Sequence, residues 1–202
     1  MTFVAVPDKA VGDIFSELMW DASIRDNLNA GVLRPIADNL LGSGAASVTI
    51  SGIPATFAHL LAIWHTRSDT ATATQNQFIR LNADAGANYD YQDFSANNTT
   101  LGSAELYATT SIACGQMPAF TAGANLFAVS YCLLLNYANT SNHKCLVGYN
   151  GMKQGTTTGN IKVYEFAGWY RSTAAIPSIT WLPAANNFVT GSRFTVYGIG
   201  LI

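Results

Sequence analysis

Charge is what this chain has least of. Asp, Glu, Lys and Arg make up 11% of its 202 residues, against about 25% in ordinary soluble domains. The net charge is −2 and no basic cluster exists, so neither nucleic acid nor an anionic membrane surface has an electrostatic footprint to bind. Long apolar runs are missing too. The longest stretches, around 57–64 and 126–135, fall short of the roughly 18 residues of a membrane span. Met1–Asp8 carries neither a charged leader nor a long apolar stretch, so no signal peptide is expected. The cysteines number three, and no Cys-x-x-Cys spacing occurs. Cys114, Cys132 and Cys145 are therefore expected as reduced, mostly buried thiols of a protein made in a cytosol. His143 lies two residues before Cys145, a spacing that holds the two side chains apart on one face of a strand rather than in nucleophile–base contact.

Signatures of catalysis are also lacking. The chain has no Gly-x-Ser-x-Gly, His-Glu-x-x-His, Walker A or Gly-x-Gly-x-x-Gly sequence, each of which places reactive or phosphate-binding groups by its spacing. A hydrolytic carboxylate pair would have to come from Asp69, Asp84, Asp90, Asp93, Glu105 and Glu165. Three of these share one polar loop, and Glu165 shares a strand with Lys162, so no acid/base pair is identifiable. The loop 82–93 offers oxygen atoms at alternating positions that could wrap calcium. It lacks the sixth-position Gly and twelfth-position Glu of an EF-hand, and its Asn and Asp residues close turns by themselves. The expectation is a protein without enzymatic activity, cofactor or assigned metal ligands.

What the chain does have is an uneven layout. Residues 1–40 hold Asp8, Asp13, Glu17, Asp21, Asp26 and Asp38, six of the twelve acids. This shift marks an expected boundary near residue 40, with a helical anchor segment before it (1–40) and a β-sandwich domain after it (41–202). In the first part Ser16 suits a helix N-cap, and Phe15 and Trp20 have hydrophobic-staple spacing. Trp20, Ile24 and Leu28 form one apolar stripe at steps of four. Gly31 and Pro35 end the helix. Phe15, Leu18, Met19 and Ala22 lie on a second side, more than a short helix can bury against one small sheet. The helix could tuck under its own domain, but the charge boundary sets it apart, and Phe15, Trp20, Ile24 and Leu28 are expected to anchor the chain to a neighbouring subunit.

Beyond residue 45 the pattern becomes strands and turns. Strands are expected over 47–51, 58–66, 77–82, 105–113, 128–137, 145–149, 161–169, 178–182 and 193–202. Gly86-Ala87-Asn88, Asn97-Asn98, 123–125, 139–142, Asn150-Gly151 and Gly191-Ser192 supply turn signals. Within 162–166, Val163 and Glu165 point one way while Lys162, Tyr164 and Phe166 point the other. Eight or nine strands with no helical pattern between them argue for a mainly β chain. The best fit is an antiparallel, jelly-roll-like β-sandwich behind the N-terminal helix. The last strand is apolar on both sides. Tyr197, Ile199 and Leu201 are expected in the core, and Phe194 in a subunit contact. Trp64, Trp169, Trp181, Tyr89, Tyr91, Tyr137 and Tyr170 could stack on sugars, but aromatic residues dominate sandwich interiors and most are expected there.

Three blocks carry a resemblance. The first is 12–16 with Trp20 and Ile24-Arg25-Asp26-Asn27-Leu28-Asn29. The second is 53–57, 59–61, 67–69, 79–82 and 86–89. The third is 169–172, 175–176, 178–180, 187–188, 191–193 and 197–199. Together they resemble a family of tailed-bacteriophage virion structural proteins of the tail, fibre, head-fibre or capsid-decoration kind. The resemblance implies a β-sandwich structural protein of the virion, homotrimeric, without a catalytic site. Its implied partners are further copies of itself and other virion proteins, with host-surface glycan under an alternative reading as a receptor-binding fibre module. The connection from Gly31 to Gly44 departs from the family in being long and partly apolar.

Overall fold

The structure, a computed structural model, describes residues 33–155 and 160–201. The expected helix, with Phe15, Trp20, Ile24 and Leu28, lies outside the described residues. Within them the chain is mainly β, built as two antiparallel sheets. In chain order the strands are β1 Leu33–Leu40, β2 Val48–Ser51, β3 Phe57–Thr66, β4 Thr74–Leu81, β5 Tyr89–Asn97, β6 Thr100–Thr109, β7 Ile112–Pro118, β8 Ala128–Leu135, β9 Lys144–Lys153, β10 Ile161–Tyr170, β11 Ser178–Pro183 and β12 Arg193–Leu201. The larger sheet runs β1-β12-β3-β8-β9-β10-β5-β6 and the smaller β2-β11-β4-β7.

Alternation decides which side chains meet between the sheets. Strand β8 reads buried–exposed almost throughout, with Ala128, Ser130, Cys132 and Leu134 inward. Strand β9 does the same with Lys144, Leu146, Gly148, Asn150 and Met152, and β10 turns Lys162 and Phe166 inward and Val163 and Glu165 outward. These meet Ile79, Leu81, Ile112, Ile179 and Trp181 of the smaller sheet in one core. At its centre Trp181 lies 6.0 Å from Trp64 and 5.3 Å from Phe194, and Phe194 lies 5.0 Å from Phe188 (ring centroids). Glycines make room where strands and rings come closest. A Cβ on Gly148 would sit 2.3 Å from the Tyr131 carbonyl oxygen and 2.5 Å from the Phe166 ring.

Four expectations are corrected here. Strand β1, on the helical side of the boundary expected at residue 40, pairs with β12 along its length, so β-structure already begins by Leu33. Its Arg193–Asp38 ion pair and the Thr195 Oγ1 donation to Asp38 at 2.9 Å hold that edge. These hydrogen bonds lower the Asp38 carboxyl to about 2. Strand β5 occupies Tyr89–Asn97, where the sequence pointed to a polar loop. Asn150-Gly151 is not a turn but part of β9, because the Asn150 amide is taken up inside the core. Finally, the faces of β12 are reversed. Phe194 and Val196 are fully buried, while Tyr197 and Ile199 are half-buried on the outer side. Phe194 is enclosed by its own chain and has no surface to offer a second subunit. The glycines decide this. The inward position of Gly198 is filled by the Phe57 ring, which a Cβ there would approach to 2.3 Å.

Candidate interaction surface

The two sheets differ on their outer faces. The smaller sheet turns out Thr49 and Thr180, whose hydroxyls bond each other at 2.9 Å, with Arg80 alongside. Asn76 and Gln116 join through their amides at 2.9 Å. Leu182 and Phe78, paired on the same face and half-buried, add a small apolar patch to this mostly polar surface.

The larger sheet does the opposite. Following the register across it, one row reads Tyr197, Leu61, Leu133, Val147, Ala167, Gln92. The next reads Thr195, Ile63, Tyr131, Tyr149, Glu165, Phe94. On one flank lie Ile199, His59, Leu135, Cys145 and Trp169, and on the other Arg193, His65, Val129, Gly151 and Val163. Val147 at the centre is 46% exposed and Trp169 47%. Glu165 is the single charge within the two middle rows over these strands, and the Tyr149 hydroxyl donates to it at 2.9 Å. The five strands β12, β3, β8, β9 and β10, at ~4.8 Å spacing and ~8 residues each at ~3.3 Å per residue, span a face of ~600 Å². A standard interface takes about 800 Å² from each partner.

The remaining candidates fall elsewhere. The three acids of the suspected calcium loop have separate surroundings. Asp84 accepts from Gly86 N at 2.7 Å, Asn88 Nδ2 at 2.8 Å and Tyr170 Oη at 3.0 Å, which hold its carboxyl below the usual range. Asp90 accepts from Ala108 N and faces Arg171 at 3.6 Å. Asp93 turns into a cleft of about 230 Å³ with Tyr91, Tyr164, Asn76 and Gln116, where burial raises its carboxyl above the usual range. Among the described residues no three His, Cys, Asp or Glu side chains gather as a metal site. Cys114 and Cys132 are buried and Cys145 half-buried. Burial pushes all three thiols up, away from the reactive thiolate. Trp64, Trp181, Tyr89, Tyr137 and Tyr170 are core residues, while Trp169 is exposed and Tyr91 lines the Asp93 cleft.

Sequence reasoning missed two buried polar devices. Gln77 links β4 to the large sheet: its Oε1 accepts from Trp64 Nε1 at 3.0 Å and Thr66 Oγ1 at 2.8 Å, and its Nε2 donates to Ser130 Oγ at 2.8 Å and the Cys114 carbonyl at 3.3 Å. Lys144, also buried, donates to the Asn142 and Thr173 carbonyls at 2.7 and 3.0 Å, tying the loop before β9 to the one after β10. The outer face itself was legible only in fragments, since its rows are assembled from five or more distant strands. No protein-family model, no curated protein and no solved structure matches this chain.

Proposed function

We propose that this chain is a non-enzymatic structural protein of a tailed-bacteriophage virion, assembling as a homotrimer through the outer face of its larger sheet. The observation that carries the reading is the asymmetry of the two outer faces. One carries hydroxyls, amides and Arg80 with half-buried Phe78 and Leu182 among them; the other presents exposed Val129, Tyr131, Leu135, Val147, Tyr149, Val163 and Trp169 together. Apolar patches of this extent mark protein contacts, and a second copy is the partner always present at equal concentration. The three sequence blocks that resemble phage virion proteins supply the virion setting. A jelly-roll-like reading of the sandwich is supported by the chain passing between sheets from β1 to β2, β3, β4 and β5. In this reading the first part of 1–40, expected from its sequence to be helical, anchors the trimer to other virion proteins on head or tail through Phe15, Trp20, Ile24 and Leu28.

The purified full-length chain is expected to scatter light as three copies at micromolar concentration. Val147→Glu sets an unpaired charge in the middle of the contact, a change that typically costs about 2–5 kcal/mol. It should release monomers whose circular dichroism matches the parent. A monomeric parent chain would sink the trimer, and cryo-electron microscopy of intact particles without this chain would sink the virion reading.

A second reading, recognition of host-surface glycan by the same protein, is favoured by the Asp93 cleft. There a carboxylate, two tyrosines and two amides line one opening, the mixture of acceptors, donors and ring faces that grips a sugar. On a glycan array the full chain should then show binding that Asp93→Ala reduces at least tenfold. Equal signals from both proteins would reject it.

A further inference from the structure

We propose that the β5–β6 hairpin is an arm that packs on the outer sheet face of a second copy of this chain, joining copies head to tail; this rests on the self-association proposed above. Strand β6 is the unusual element. Its first nine residues, Thr100 to Ala108, are all exposed, and the tenth, Thr109, is intermediate. Its pairing partner is β5. The smaller sheet ends at β7, which packs against β8, β9, β10 and β5, so among the described residues β6 has no layer beneath it. Both of its faces nevertheless carry large apolar side chains. Leu101 and Tyr107, each 68% exposed, point to the outer side with Phe94 of β5, and Leu106 points to the inner side.

A strand that buries neither face recovers little of the entropy lost in ordering it. Natural edge strands that stay free are guarded by Lys, Pro or inward charges. At the opposite edge β1 carries Pro35 and the ion-paired Asp38. Strand β6 has neither Lys nor Pro, Glu105 is its one charge, and its bulge, opposite Asp90, leaves Thr100 to Leu106 in regular pairing. The guarded edge and the unguarded one therefore have different roles.

The occupant follows from area and chemistry. The hairpin needs an apolar, charge-poor surface of several hundred Å², and strands β12, β3, β8, β9 and β10 display one of ~600 Å² on the same sheet. Because arm and receiving face are different parts of the chain, the contact is heterologous, and the trimer proposed above is the case in which its rotation closes into a ring rather than running on as a filament.

The test uses the full-length chain. A photo-crosslinking phenylalanine analogue at position 107 is expected to join one copy to residues of β8, β9 or β10 in another. Leu101→Asp with Tyr107→Asp is expected to raise the dissociation constant at least tenfold, with circular dichroism unchanged because both positions are exposed. If the parent is a trimer and the double variant is equally trimeric, the arm is overturned while the self-association reading stands. Crosslinks confined to one chain, or running from arm to arm, overturn it as well. A parent chain that is monomeric removes both proposals at once.

Discussion

Phe194→Ala is expected to lower folding stability by about 3–5 kcal/mol, the range for removing a fully buried aromatic ring. The ring is fully enclosed, between Trp181 at 5.3 Å and Phe188 at 5.0 Å. These neighbours are poorly able to collapse into the space. Phe188 is fixed by bridges to Ala45 and Ser68, and Trp181 is packed against Trp64. The cavity would therefore stay open, and the cost rises with the residual volume. Tyr197→Ala on the same strand is the control. It lies half-buried on the outer face and should cost less than half as much in the isolated chain. Urea unfolding at one fixed protein concentration measures both. A Phe194→Ala protein that unfolds at nearly the same urea concentration as the parent would contradict the core described here.

The second large effect is expected from Gln77→Leu, a change close in volume but not in polarity. Gln77 makes four hydrogen bonds inside the sandwich, to Trp64, Thr66, Ser130 and the Cys114 carbonyl. Leucine fills the space and deserts all four partners. Each buried polar group left unsatisfied costs about 1–3 kcal/mol. Ser130 keeps its bond from Asn150 Nδ2 at 2.8 Å, so a net loss of roughly 3–5 kcal/mol is the expected sum. Adding Ser130→Ala should cost less in the Gln77→Leu protein than in the parent, since the two residues share one network. Guanidinium unfolding followed by tryptophan fluorescence reads both stability and the altered surroundings of Trp64. Additive losses would show that the network acts as independent pairs.

How much of this was legible beforehand depended on where each strand lies. Strands β3, β8 and β10 were readable because they sit mid-sheet over a full core, which favours an apolar residue at most inward positions. Strand β5 was not, because its Asn-, Asp- and Gln-rich sequence resembles a loop; its partner β6 hangs beyond the smaller sheet and has no core to impose a pattern. Strand β1 was hidden for another reason. It is an edge strand with Pro35 and a register shift between Pro35 and Ala37, so its apolar residues lose strict alternation.

The β12 strand shows the limit most clearly. Alternation placed Phe194, Val196 and Gly198 together and Thr195, Tyr197 and Ile199 together, and that grouping holds. Which group faces the core could not be read from apolar content, because the group with more apolar bulk near its end turned outward. Period-two geometry is a local property of the backbone, so the sequence by itself determined a mainly β chain, poor in charge, with side chains sorted onto two faces. The choice between those faces depends on residues far away in the chain. The Phe57 ring takes the space over Gly198, and Trp181 and Phe188 close around Phe194. Only the tertiary structure decided that choice, and with it the apolar surface left outside, because a sheet face exists only once distant strands are in register.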